Sequence, residues 1–293
     1  MSAIAYITDS KMLELHRLNA HKTMNFWRLS TKNNFSNFEK GDLVFFLSKD
    51  KEFIKNKEKG IVGFGKLEAV HLCSPKSMWD KYEKENGYNT YDEFKAALTK
   101  VNKDHKLPTK ISSFYLTNVT FFQAPVYLSE CGMEISNNVE SYIYIKPEET
   151  VIKLLEYAKK AIDLWSSSED VLDRLDEEEL RYAISLAFKE FGDYPLDERQ
   201  MKKAHKEMLK VIENNPVCEF VSGSKLDLCL VNERDVLIVL YNSKDIDIRT
   251  LIGQASLYCT NIKKYYFNGF KLYFKTSNGD KDKDELIIKA IYH

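Results

Sequence analysis

The chain has 293 residues and a formal net charge of −1, with 44% hydrophobic and 30% charged residues. This composition is typical of a folded protein with two domains of ordinary size, and it excludes a disordered chain. The near-neutral charge excludes the whole-protein positive field of strong non-specific DNA binders, so a nucleic-acid contact would need a local basic patch.

Residues 1–147 alternate short runs of Phe, Tyr, Val and Ile with turns of Gly, Asn, Ser or Lys, which is typical of strands. Two segments with apolar residues at helical spacing, Pro75–Asn86 and Tyr91–Val101, interrupt them. We therefore expect a small β-barrel with inserted helices. The predicted strands are Ile4–Ile7, Met24–Leu29, Asp42–Leu47, Gly60–Leu72, Ser113–Phe122 and Ser141–Ile145.

A second domain is predicted after a helix and linker over residues 148–170. Pro147 and the following two glutamates favour a helix start, and three serines at 166–168 break the helical pattern. Residues 171–293 then predict an α/β domain. Its predicted helices are Leu175–Phe188, Asp197–Glu213 and Ile248–Tyr258, and its predicted strands are Leu226–Val231, Val236–Tyr241 and Gly269–Phe274.

The five cysteines are scattered and form no CxxC pair, so neither a zinc site nor a disulfide scaffold is expected. The chain shows neither a signal peptide nor an 18-residue apolar run. We therefore predict a cytoplasmic protein with reduced thiols and no membrane association.

The aromatic and glycine residues of the first domain carry a family resemblance. A strand with Trp27, a Gly41-Asp42 turn before an apolar strand, and a Gly-x-Gly strand resemble the PUA-like superfamily, in particular its EVE branch. A further stretch resembles the EVE-like domains at the front of modification-dependent restriction enzymes. It is marked by Gly63-Phe64-Gly65, Ser74, Trp79, Asn86-Gly87 and Phe94.

The resemblance implies a reader of a modified base, which is extruded and held in an aromatic pocket. Stacking on aromatic side chains can offset the few kcal/mol that unstacking costs. The residues so implied are Trp27, Phe46, Phe64 and Trp79 as pocket walls, Ser30 and Asn118 as base-edge partners, and Arg28, Lys32 and Lys66 as phosphate ligands.

These aromatic residues also have a structural interpretation. Strand aromatics in a small barrel usually pack in the core, which is what we expect of Phe46 and Phe64 taken singly. Trp27 fits a pocket and the core equally well, and Trp79 fits an anchor of the helical insertion.

The second domain resembles the PD-(D/E)xK nuclease superfamily. Asp227 lies in an apolar strand, and Gln254 and Tyr258 fit the Gln-x-x-x-Tyr pattern of the helix that follows the next strand. Such nucleases hold a divalent metal with two carboxylates and use a lysine to support the attacking water. Glu179, followed by Glu178, is the positional candidate for an acid from the preceding helix.

The sequence departs from this pattern where Glu-x-Lys should stand, because it reads Leu240-Tyr241-Asn242. Lys244 lies two residues later and could substitute only if a bulge re-aims its side chain. We therefore predict a restriction-endonuclease-like core with a degraded active site. Asp227, Glu179 and Lys244 would be catalytic, and Asp227 would hold metal, only in an active variant.

The combined prediction is a two-domain α+β protein that recognises modified bases, first of all in DNA, in a restriction or phage-defence setting. The second domain would be a scaffold or docking module for a partner nuclease or NTPase. A homodimer is a further possible assembly. No cofactor is expected, and Mg or Mn would be needed only for activity. Two alternatives remain, namely an active modification-dependent endonuclease and a protein-interaction or small-ligand module without a nucleic-acid role.

Overall fold

The computed structural model describes residues 2–29, 38–52, 57–136, 139–160, 169–191, 194 and 196–292. The chain forms two compact units, and the division falls between Arg174 and Leu175. No helix within the described ranges has the length and apolar composition that a membrane span requires.

The first unit contains a six-stranded sheet and four α-helices within its described residues. Its strands are β1 (Ala3–Thr8), β2 (Met24–Arg28), β3 (Leu43–Glu52), β4 (Lys59–Cys73), β5 (Ile111–Val126) and β6 (Tyr142–Tyr144). Its helices are α1 (Ser10–Leu18), α2 (Pro75–Tyr82), α3 (Tyr91–Val101) and α4 (Glu149–Lys160), and a 3-10 helix spans Glu83–Asn86.

The sheet has the order β2-β5-β4-β3-β1-β6, with β1 parallel to β3 and the other neighbouring pairs antiparallel. Within the described residues, β2 and β6 are unpaired edges, so the predicted barrel is not closed. Aromatic side chains occupy the space between the two ends. The ring centroids of Tyr6 on β1 and Phe26 on β2 are 5.0 Å apart. The sheet therefore curls so that, in its described residues, the two ends meet through side chains and not through backbone hydrogen bonds.

The Gly-x-Gly segment of β4 is explained by close strand packing. A Cβ atom at Gly63 would lie 2.4 Å from the backbone oxygen of Thr120, and one at Gly65 would lie 2.9 Å from Cβ of Leu116. Both contacts are too short for a side chain, so these two glycines allow β4 and β5 to approach each other.

The helical insertion α2–α3 covers the opposite face of the sheet from the Tyr6–Phe26 contact. Ser74 caps α2 by accepting from the Ser77 backbone N–H at 3.2 Å, and Thr90 caps α3. The core between this insertion and the sheet consists of Met78, Tyr82, Phe94, Leu98 and Ile111.

The second unit is a four-stranded mixed sheet with helices. After α5 (Glu169–Phe191), which the division crosses, come α6 (Glu198–Asn214), β7 (Glu219–Phe220), β8 (Leu228–Asn232), β9 (Asp235–Leu240), α7 (Ile248–Tyr265), β10 (Lys271–Thr276) and α8 (Lys281–Tyr292). The strand order is β10-β9-β8-β7, and only β10 is parallel to its neighbour. The crossover helix α7 joins that parallel pair, as parallel strands require.

Candidate functional site

An arginine lies inside the curled sheet of the first unit, at the end of β2. Arg28 is 6% exposed, and its Nε donates to Ser112 Oγ at 2.8 Å. The strand register places these two residues opposite each other on β2 and β5. The guanidinium carbon also lies 4.7 Å from the centroid of the Phe114 ring, which is within cation–π range. A positive charge is therefore held against an aromatic surface.

Two tyrosines complete this site from the other end of the sheet. Tyr6 and Tyr142 are paired in register between β1 and β6, and their rings stack with centroids 5.8 Å apart at 15°. Ser141 Oγ donates to the Tyr6 hydroxyl at 3.3 Å. Both tyrosines are half-buried. We call Arg28, Ser112, Phe114, Tyr6 and Tyr142 the Arg28 cluster.

The charge of the Arg28 cluster persists at neutral pH. Burial lowers the pKa of Arg28, and the nearby Tyr6 and Tyr142 hydroxyls partly oppose that shift. An arginine remains protonated in proteins despite such shifts. The planar guanidinium can donate two parallel hydrogen bonds, and aromatic rings beside it can stack on a planar ligand. The cluster thus combines the two contacts that a nucleobase needs.

Trp27 lies on the opposite face of the sheet, because side chains alternate along β2. Its Nε1 donates to the backbone oxygen of Asn86 at 3.2 Å, and its ring packs edge-on to Phe94 at 5.8 Å. Trp79 packs on Phe94 as well, at 5.9 Å. The fully buried Asn86 accepts from Asn25 Nδ2 at 2.8 Å and donates to the backbone oxygen of Glu83. Trp27 and Trp79 thus hold the helical insertion against the sheet.

The other predicted reader residues are dispersed. Phe46 and Phe64 are 0% exposed, as is Phe114 of the Arg28 cluster, so a base could reach these rings only after the core rearranges, whereas Tyr6 and Tyr142 are half-buried. Asn118 is exposed, with a φ of +50°, and Lys66 is half-buried on β4. Ser30 and Lys32 lie outside the described residues. Among the predicted residues that the structure describes, Arg28 lies against the Phe114 ring, and Phe46 stacks on Phe26 in the same core cluster with ring centroids 6.3 Å apart.

Asp227, directly before β8, is fully buried in the second unit. Its carboxylate accepts from the Tyr194 hydroxyl, from Tyr258 Oη at 3.0 Å and from Ser224 Oγ at 2.9 Å. Burial raises the pKa of Asp227 to about 6, and these hydrogen bonds partly oppose the shift. The Tyr194 hydroxyl also accepts from the Tyr241 backbone N–H at 3.1 Å. The carboxylate thus ties α7 and the start of β8 to the end of β9.

The other predicted nuclease residues do not form a metal-binding group with Asp227. Among the described residues, no set of three or more His, Cys, Asp or Glu side chains is placed to hold a metal ion. Lys244 is exposed, and Glu178 and Glu179 are 3% and 2% exposed on α5. Gln254 is buried on α7 one turn before Tyr258. Tyr258, the last residue of the Gln-x-x-x-Tyr pattern, donates directly to Asp227, a contact that the sequence did not predict.

Four residues of the Arg28 cluster were not predicted from the sequence, namely Tyr6, Ser112, Phe114 and Tyr142. Tyr142 and Tyr144 alternate in the strand Tyr142–Tyr144, and this alternation is the local signal that both face one side. Nothing local in the sequence indicates that Tyr142 stacks on Tyr6, because these residues are far apart along the chain.

No protein-family model and no curated protein matches this chain. Its fold is similar to crystal structures of ASCH from Zymomonas mobilis. One mutant of that protein (ZmASCH) shares 13% identity with this chain, at a TM-score of 0.38 over 53% of this chain and 98% of the other. For ASCH itself the identity is 12% and the TM-score 0.37, over 52% and 94%. Both TM-scores are low, so these similarities are weak.

Proposed function

We propose that the first unit binds nucleic acid and recognises a modified base, in the first instance of DNA, at the Arg28 cluster. The observation that carries the proposal is a buried guanidinium among aromatic rings, located between the two edge strands of the sheet that the described residues form. An extruded base is planar, has hydrogen-bond acceptors on its edge and needs a stacking partner. Arg28 supplies the donors, and Tyr6 and Tyr142 supply half-buried aromatic faces.

The role we propose for the second unit is a nuclease-like scaffold or docking module without a metal site, in a restriction or phage-defence setting. Three hydrogen bonds to the buried carboxylate of Asp227 support this proposal. The Leu240-Tyr241-Asn242 segment, which lacks an acid and a lysine, supports it further. Each hydroxyl that donates to Asp227 occupies a lone pair that a divalent cation would otherwise need.

The test of base recognition is binding of the full-length protein to a panel of short duplexes at fixed, moderate salt. The panel contains unmodified DNA, DNA with methylated or hydroxymethylated cytosine, DNA with methylated adenine, and methylated RNA. We expect a preference for one modified DNA duplex. Arg28→Lys keeps the charge but loses the two-pronged donor, so the preference should fall by about 5-fold to 150-fold, which corresponds to ~1–3 kcal/mol.

Tyr142→Ala should reduce affinity for that duplex through lost stacking, whereas Tyr273→Ala should not. Tyr273 is a matched control because it is a 46% exposed tyrosine in the second unit. Circular dichroism would establish that each variant is folded. An unchanged preference in folded Arg28→Lys and Tyr142→Ala proteins would refute the Arg28 cluster as the site. Equal binding of the parent to every duplex would refute modified-base recognition.

Cleavage is tested separately by long incubation of the preferred duplex with Mg²⁺ or Mn²⁺. We expect intact DNA. Metal-dependent cutting that disappears in Asp227→Ala would instead establish the active endonuclease and overturn the scaffold role.

A further inference from the structure

The second unit presents a row of basic side chains on α6 that the proposed base recognition does not use. Asp197 caps this helix, and Gln200 completes the capping box by accepting from the Asp197 backbone N–H at 2.9 Å. Ala204 and Met208 face the core. The start of the helix and its buried face are thus fixed, and so is the face that points to solvent.

Four basic residues lie on the solvent-facing side of α6, and we call them the basic ridge. They occupy positions i, i+4, i+7 and i+11, which places them on one face of a helix along about 16 Å of its axis. All four are exposed. The basic ridge consists of Arg199, Lys203, Lys206 and Lys210.

Two of the three acidic residues of α6 lie beside this face, and the third, Glu213, lies at its C-terminal end, three residues after Lys210. Glu198 pairs with Lys202 at 2.7 Å, beside the ridge, and Glu207 accepts from the Tyr241 hydroxyl at 3.1 Å. In the described part of the chain, no salt bridge within 4.0 Å joins a ridge residue to an acid. The ridge therefore keeps its positive charge toward solvent.

The ridge is unfavourable for the helix itself. Arg199 and Lys203, like Lys206 and Lys210, are like charges at i,i+4, a spacing that destabilises an isolated helix. Arg199 also lies in the first turn, where the helix dipole disfavours a cation. These like-charge pairs therefore do not favour folding of the helix, whereas binding of a polyanion would compensate for them.

We propose that the basic ridge binds the phosphate backbone of a nucleic-acid duplex without reading its sequence. Phosphates of one duplex strand recur every 3.4 Å or so along the axis, so a straight row of about 16 Å spans roughly five of them. The ridge positions contain no aromatic residue on which unpaired bases could stack. Charge complementarity with a rigid backbone therefore favours a duplex over a single strand.

The test measures how the affinity of the full-length protein for an unmodified duplex depends on salt. Each phosphate contact contributes about −0.9 to the slope of log K against log salt. A variant with all four ridge residues changed to Gln should show a slope about 3 to 4 units shallower. Glutamine is a good helix former, so α6 should persist, and far-UV circular dichroism would verify this.

The matched control removes four exposed lysines from other elements of the same unit. It should leave the slope within about 1 unit of the parent slope. The control substitutions are Lys263→Gln, Lys271→Gln, Lys275→Gln and Lys289→Gln.

Any of three results would overturn the proposal that the basic ridge binds a duplex. They are equal salt slopes for the ridge and control variants, no binding of a duplex by the parent at low salt, and binding of polyglutamate as tight as that of the duplex. The proposed base recognition fails in a different way. Arg28→Lys would alter the preference between modified and unmodified duplexes and leave the salt slope unchanged. The variant with four glutamines in the ridge should instead bind both duplexes more weakly, by the same factor.

Discussion

Replacing Asp227 with Asn tests whether this buried carboxyl group stabilises the fold through its hydrogen bonds or serves as a metal ligand. The pKa of Asp227 is raised from 3.8 to about 6 by burial. Its protonated form therefore stabilises the folded state at low pH, and that contribution disappears as the pH rises through 6. The full difference is about 3 kcal/mol, at ~1.36 kcal/mol per pKa unit.

Asparagine has the same shape and no charge, so Asp227→Asn should remove this pH dependence. Between about pH 5 and about pH 7.5, the stability of the variant relative to the parent should increase by about 1.4 kcal/mol. Any constant loss from weaker hydrogen bonds to Tyr194, Ser224 and Tyr258 cancels in that comparison. Comparison with the parent is needed because burial also lowers the pKa of His16 to about 4. That shift makes the folded state more stable as the pH rises over the same range, which is opposite to the effect of Asp227.

Urea unfolding at the two pH values measures the effect. Far-UV circular dichroism follows both units, whereas all three tryptophans precede residue 175, so fluorescence reports on the first unit. We expect millimolar Mg²⁺ to leave the parent curve unchanged. An Asn variant that loses the same stability at both pH values would refute the argument, as would a parent that Mg²⁺ stabilises, because a bound metal favours the ionised carboxylate.

Two further substitutions test how the helical insertion is attached to the rest of the first unit. Gly87→Ala should destabilise the first unit by at least about 1–2 kcal/mol in urea unfolding, because Gly87 has a φ of +85° and a Cβ atom there would lie 2.3 Å from Cγ of Met12. Asn86→Ala should cost about 3 kcal/mol by leaving Asn25 Nδ2 and nearby backbone oxygens without their buried partner, with a shifted tryptophan emission. Stability close to that of the parent in either variant would contradict this attachment.

The strands of the first unit were predictable because their signal is local. β1, β4 and β5 contain their predicted runs in full, whereas the runs predicted for β2, β3 and β6 extend one residue beyond the strand at one or both ends. The Asn86-Gly87 turn ends the 3-10 helix as its sequence indicates. Two helices were missed. α1 has its cap at Asp9 and buries Met12, Leu13 and His16, but it is only two and a half turns long. α8 buries only Ile287, so its apolar residues show no clear helical face.

The candidate site was less predictable than the strands. Alternation along β2 places Arg28 with Phe26 and opposite Trp27, so the sequence contained evidence that Arg28 and Trp27 cannot line one pocket. The contacts of Arg28 with Tyr6 and Tyr142 depend on strand order, which β1 decides by pairing with both β3 and β6. The pairing of β1 with β3 joins residues 40 positions apart, and the pairing of β1 with β6 joins residues more than a hundred positions apart. Neither leaves a periodic signal in the sequence.

A net charge of −1 is compatible with nucleic-acid binding when charge and specificity are divided between sites. Phosphate contacts fix position and supply salt-dependent affinity, whereas base contacts supply selectivity. The buried guanidinium of Arg28 is shielded by aromatic rings and adds little to a long-range field. The basic ridge is exposed, and its charge is concentrated along one helix face. A protein with this division needs no overall positive charge, because the local field within about 10 Å of the ridge is what attracts a phosphate backbone at physiological salt.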